Sequence, residues 1–122
     1  MASLKNALDN IAVGDIFHAE SPNGASLICL VLSVTDTIVC ARTVTTQLYL
    51  EFGRKTGIAT FGDAAVPCTV DSVAPLPPDV YNVMLGIDLK FRTKKDPEQL
   101  KLSSAEKRAL VFVASYYATN RL

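Results

Sequence analysis

Few residues of this chain can do chemistry, and those few stand far apart. His18 is the only histidine among 122 residues. It lies on an alternating segment beside a turn, with no serine, cysteine or carboxylate at a spacing that signals pairing, so a structural or surface histidine is expected. Cys29, Cys40 and Cys68 sit inside apolar runs and lack CxxC spacing. They read as buried, reduced thiols, which behave as small hydrophobes. A metal site needs about three or four converging ligands, and no spacing here supplies them. Neither a metal nor a cofactor is expected. Arg42 interrupts an otherwise uncharged run, and is read as an ion-pair partner across a sheet or, second, as a phosphate contact. Gly53-Arg54-Lys55-Thr56-Gly57 has the composition of a phosphate loop without the G-x-x-x-x-G-K-[ST] order or a following helix, so it reads as a hairpin tip. Phe112, Tyr116 and Tyr117 carry no interleaved basic residue, and read as core or interface. No catalytic residue is assigned.

The bulk properties narrow the partners. Twelve basic and twelve acidic residues cancel, so the whole molecule has no attraction for nucleic acid or anionic lipid. The charge is uneven. Residues 1–89 hold nine acids against four bases, and residues 90–108 hold seven bases against three acids. Nearly half of the residues are apolar, enough for a core in one domain spanning 1–122. No basic leader with a long apolar run opens the chain, and no run reaches bilayer length. With unpaired thiols, these features point to a cytoplasmic protein.

The elements that must position these residues follow from spacing. Leu4, Ala7, Leu8 and Ile11 mark a short helix over 3–11, with Ser3 as its N-cap. Residues 13–74 read as short strands: Ile16–Glu20, Ser26–Val34, Thr37–Thr46, Gln47–Phe52, Ile58–Phe61 and Val66–Val73. Leu27–Leu32 contains no polar residue, which a strand tolerates only when both of its faces are covered. Ser21-Pro22-Asn23-Gly24 is turn chemistry. Ala74–Pro78 is a proline-rich hinge into a helical extension, 78–122, with a charged loop at 93–101. Val80, Val83, Met84, Ile87 and Phe91 mark one helical face there, interrupted by Gly86. Ser103 with Glu106 is a capping-box pair opening the last helix. The expected class is therefore α+β, mainly β with helices.

A short N-terminal helix followed by about five bent antiparallel strands resembles the SH3-like and Sm-like small barrels. In the Sm-like proteins an aspartate and an asparagine after the second strand read RNA, with an arginine-glycine pair near the fifth. Asp36 matches that aspartate, Cys40 stands at the asparagine position, and no Arg-Gly dipeptide occurs. A second resemblance is to the plasmid-maintenance toxin endoribonucleases. It rests on Gly14-Asp15-Ile16, Pro22-Asn23-Gly24, Val31-Leu32-Ser33 and Thr45-Thr46-Gln47. That likeness implies Thr46 as a catalytic threonine. The arginine-proline pair that stabilises phosphate in those enzymes is replaced here by Ser26-Leu27-Ile28.

The leading expectation is a non-catalytic binding or assembly module that self-associates as a dimer or small ring. A barrel interior accommodates one face of Leu27–Leu32, so the other face needs cover. The alternatives are an RNA- or DNA-binding barrel, which is not favoured, and a degenerate toxin-like ribonuclease. The candidate ligand contacts are Arg42, Thr46, Arg54 and Lys55.

Overall fold

The computed structural model describes residues 8–62, 68–93 and 101–121. Six strands form one sheet: β1 (Ile16–Glu20), β2 (Ser26–Val34), β3 (Ile38–Thr43), β4 (Tyr49–Gly53), β5 (Ala59–Gly62) and β6 (Thr69–Ser72). The first five are an antiparallel meander, and β6 returns beside β1, giving the order β5-β4-β3-β2-β1-β6. The sheet curls until its outer strands meet. Ile58 bridges Thr69, the Ala59 amide donates to the Cys68 carbonyl at 2.8 Å, and the Val70 amide donates to the Gly57 carbonyl at 2.8 Å. Backbone groups that an open edge would expose are thus partly paired within the chain.

Strand β2 explains the curl. Its register on β3 slips between Val31 and Ser33, and such a bulge bends a strand and tightens its twist. The two apolar faces of β2 are both used. Cys29 and Val31 point into a core with Phe17, Ala19, Val39, Ala41, Leu50 and Phe52, where the Phe17 and Phe52 rings meet edge to face at 5.2 Å. Ile28 and Leu30 point the other way, into a second core with Ile16, Val44, Met84, Ile87, Val113 and Tyr117. That second core is the floor of a helical hairpin, α1 (Pro78–Thr93) and α2 (Ser104–Thr119). Each fully buried Val, Leu, Ile, Phe or Met side chain in these layers contributes about 1.5–3 kcal/mol. The cover that the polar-free stretch demands comes from the same chain.

Local chemistry sets the helix ends. Pro78 opens α1, where a missing N–H is tolerated, and the helix runs unbroken through Gly86. The Ser103–Glu106 capping box forms as the sequence indicates. Glu106 also accepts from the Lys90 ammonium at 2.6 Å, tying the end of α1 to the start of α2. Strand β3 stops at Thr43, three residues before the spacing suggests. There the Thr43 carbonyl and hydroxyl accept from the Gln47 and Leu48 amides, and Gln47 adopts φ 57°. In β5, Gly62 has φ +136°, and a Cβ there would fall on the Tyr49 carbonyl oxygen, so only glycine fits.

Most of the helix expected over 3–11 lies outside the described residues, as do Val66 and Pro67 of the strand expected over Val66–Val73 and most of the 93–101 loop. Leu8 and Ile11 are buried in the inner core. Among the described residues, no helix is long and apolar enough to cross a membrane. Cys29 and Cys68 are buried and Cys40 is half-buried. Burial pushes the Cys29 and Cys68 thiols up, away from thiolate chemistry.

Candidate functional site

Strand β1 alternates, with Phe17 and Ala19 facing the inner core. His18 therefore points outward, under the helical hairpin. Its ring stacks on Tyr117 of α2 at 5.3 Å with 30° between planes, and the Tyr117 hydroxyl donates to the Ile16 carbonyl at 3.2 Å. On the other side of β1, β6 pairs His18 with Ser72 but Ala19 with Val70. Asp71 is the extra residue between them. The bulge aims its carboxylate at the ring, and His18 Nδ1 meets Asp71 Oδ1 at 2.6 Å. The opposite ring nitrogen, Nε2, is hydrogen-bonded to the hydroxyl of Ser26, the first residue of β2.

The protonation pattern follows from the partners. A carboxylate accepts only, so Nδ1 carries a hydrogen, and in the neutral ring the lone pair is then on Nε2, facing the Ser26 hydroxyl. The His18 side chain is 7% exposed and that of Asp71 17%, whereas Ser26 is solvent-exposed. The chain of three thus runs from the interior to the surface. It opens into a cleft of about 200 Å³ bounded by His18, Glu20, Ser26 and Arg121, with Gly24, Ala114 and Ala118 keeping it clear.

Arg121 reaches the cleft because α2 is fastened just before it, by the Ser72 hydroxyl donating to the Asn120 carbonyl at 2.7 Å. Its guanidinium lies 3.8 Å from Glu20 Oε2 and 3.8 Å from Asp71 Oδ2, too far for a hydrogen bond in either case. Asp71 Oδ2 is buried and has no hydrogen-bond partner among the described residues. A larger depression of about 370 Å³ beside Ile11, Leu76 and Tyr81 contains one carboxylate, Asp15, which already accepts from the Ala12 amide at 2.8 Å.

The residues singled out from sequence lie elsewhere. Arg42 makes a two-pronged pair with Asp88 of α1, Nε to Oδ1 at 3.1 Å and Nη2 to Oδ2 at 2.9 Å. Its ion pair therefore runs from sheet to helix rather than from strand to strand. Gln47 adds a bond to Asp88 Oδ1 at 2.9 Å, and Arg92 stands 3.7 Å from Oδ2. Burial works against ionised Asp88, but the hydrogen bonds from Arg42 and Gln47 and the charges of Arg42 and Arg92 prevail. They hold its carboxyl below the usual range. Thr46 is exposed and shares a hydrogen bond with the Thr43 hydroxyl. Arg54 donates to the carbonyls of Leu8, Asp9 and Thr35 at 3.2, 2.8 and 2.8 Å, while Lys55 is exposed. Arg42 and Thr46 lie at one end of the β3–β4 hairpin and Arg54 and Lys55 at the other.

The grouping of His18 with Ser26 and Asp71 is not legible in the sequence because their separations, 8 and 53 residues, match no motif. Asp71 depends on a bulge that no residue type announces. One signal was present: His18 stands on the same strand face as Ile16, where an apolar side chain suits the helical cover. No group of residues able to hold a metal ion occurs among those described. Comparison with protein families, curated proteins and solved structures finds no match.

Proposed function

We propose that the chain is a small-barrel binding module of the SH3-like or Sm-like kind, and that its ligand surface is the cleft beside His18, Ser26 and Arg121. The observation that carries this reading is the convergence of hydrogen-bonding groups on a concave site whose walls are otherwise small residues. Support for the barrel comes from the five-strand meander and from the bridge joining its outer strands. The charge of the cleft selects the ligand. Glu20 and Arg121 in its lining cancel, and Asp71 behind His18 adds a further negative charge, so neutral, hydrogen-bonding molecules fit better than phosphates. A screen of small polar fragments by NMR is the test. Hits should shift the resonances of Ser26, Ala114 and Arg121, and Ala118→Trp, which fills the cleft, should abolish them. Hits that survive Ala118→Trp would move the ligand surface elsewhere.

Nucleic-acid binding has narrower support, since Arg42 and Arg54 spend their guanidinium donors inside the chain. A toxin-like ribonuclease would rest on Thr46 alone. Self-association as a dimer or small ring is a second reading, favoured by Val111 and Phe112 of α2, which are 72% and 44% exposed. Sedimentation equilibrium at tens of micromolar, with Val111→Glu as the control, tests it.

A further inference from the structure

The hydrogen bonds in the cleft run in an order, carboxylate to imidazole to hydroxyl, that ligand binding alone does not require. We infer that Ser26 is a nucleophile for acyl transfer, with His18 as its general base and Asp71 as the residue that positions the base, and that its substrates are small neutral esters. This rests on the cleft being the ligand surface and goes beyond it by assigning a reaction.

Four observations carry the assignment. First, a serine hydroxyl is a weak nucleophile until a base within hydrogen-bond reach takes its proton, and His18 Nε2 is bonded to the Ser26 hydroxyl. Second, the base must present a lone pair there, and the 2.6 Å contact of Nδ1 with Asp71 selects, in the neutral ring, the tautomer whose lone pair is on Nε2. Third, burial is graded. The base and its carboxylate are shielded by Tyr117 and the sheet, while the hydroxyl faces solvent. A cluster with only a structural role has no need to place its last member outside. Fourth, Arg121 lines the cleft together with Ser26, and its ion pairs with Glu20 and Asp71, both 3.8 Å long, are too long for hydrogen bonds. It is the cation assigned here to the oxyanion that forms on a carbonyl.

The substrate class follows from size and charge. A cleft of about 200 Å³ floored by alanines admits a short acyl group, and the excess of carboxylates disfavours anionic esters. In the acylation step the Ser26 oxygen bonds to the ester carbonyl carbon as its proton passes to His18 Nε2. Collapse of the tetrahedral intermediate breaks the bond from carbon to the alcohol oxygen, and that oxygen leaves with the proton from Nε2. Water then attacks the acyl-serine, giving its proton to Nε2. Ser26 departs with that proton, and the acid is released. Asp71 accepts the Nδ1 hydrogen throughout and exchanges no proton.

The test uses the full chain with two probes, p-nitrophenyl acetate and an alkyl fluorophosphonate. One equivalent of phosphonate should be found on Ser26 by peptide mass mapping. The labelling and ester-hydrolysis rates should fall by about 100-fold or more in Ser26→Ala. Ser26 is exposed at the end of a strand, so this variant keeps the fold. Asp71→Asn should lower both rates by a similar factor, with partial recovery in Asp71→Glu. Because His18 is the only histidine, its ring nitrogens report the tautomer by NMR, and Asp71→Asn should shift hydrogen from Nδ1 towards Nε2. Labelling that is equal in Ser26→Ala, or that lands on other residues, overturns the assignment. No labelling, with fragments still bound in the cleft, overturns the nucleophile and leaves the binding reading standing. No labelling and no binding overturns both.

Discussion

Two aspartates on this protein stand against nitrogen bases over the same outer face of the sheet, and they are treated in opposite ways. Asp88 is sealed. Its side chain is 3% exposed, Oδ1 accepts from Arg42 and Gln47, Oδ2 accepts from Arg42, and Arg92 adds a nearby charge. Among the described residues Asp71 is hydrogen-bonded on one oxygen only, through His18, while its other oxygen is buried and makes a 3.8 Å ion pair with Arg121. A carboxylate whose acceptor sites are filled works as a lock, here between α1 and the β3–β4 hairpin. Asp71 instead stands behind His18, with the Ser26 hydroxyl at the far, exposed end of its network.

The difference can be broken from the Asp88 side first, where the effect is largest. Arg42→Met should leave Asp88 charged, buried and short of donors, and should lower stability by about 3 kcal/mol in urea unfolding. A loss below about 1 kcal/mol would mean that the lock contributes little. The same carboxylate makes stability depend on acid. Its folded pKa lies below the unfolded value, so its contribution is complete above about pH 4 and fades as pH falls through the folded value. Wild type should therefore lose more stability than Asp88→Asn when the pH is lowered from 5 to about 2, as followed by the denaturation midpoint.

On the other side of the comparison, stability effects should be small. Asp71→Asn should cost about 1 kcal/mol, the worth of one hydrogen bond, although the reaction rate falls far more. Arg121→Gln should change stability by less than about 0.5 kcal/mol, because its ion pairs are long and half-exposed. An Arg121→Gln loss above about 2 kcal/mol would make this cluster a second lock and remove the contrast.

How far the sequence reached depended on whether the deciding interaction was local. The Ser103–Glu106 capping box was legible because its partners are three residues apart. The strand alternation of Gln47–Phe52, most of which forms β4 (Tyr49–Gly53), and the turn at Pro22-Asn23-Gly24 were legible for the same reason. The end of β3 was not, because Thr43 and Gln47 close a turn that competes with the strand using residues of high β propensity. The partner of Arg42 was placed across the sheet, whereas Asp88, 46 residues away, comes down from the helix.

The sequence by itself determined the α+β class, the succession of the strands and of the two helices that follow them, and the requirement that Leu27–Leu32 be covered on both faces. These follow from side-chain period and backbone hydrogen bonding, which act within a few residues. Only the tertiary structure decided that the cover is the α1–α2 hairpin, and that His18, Ser26 and Asp71 meet. That meeting depends on a one-residue slip between β1 and β6. Register is set by the packing of whole strands against two cores, and no local pattern encodes which residue will be left over.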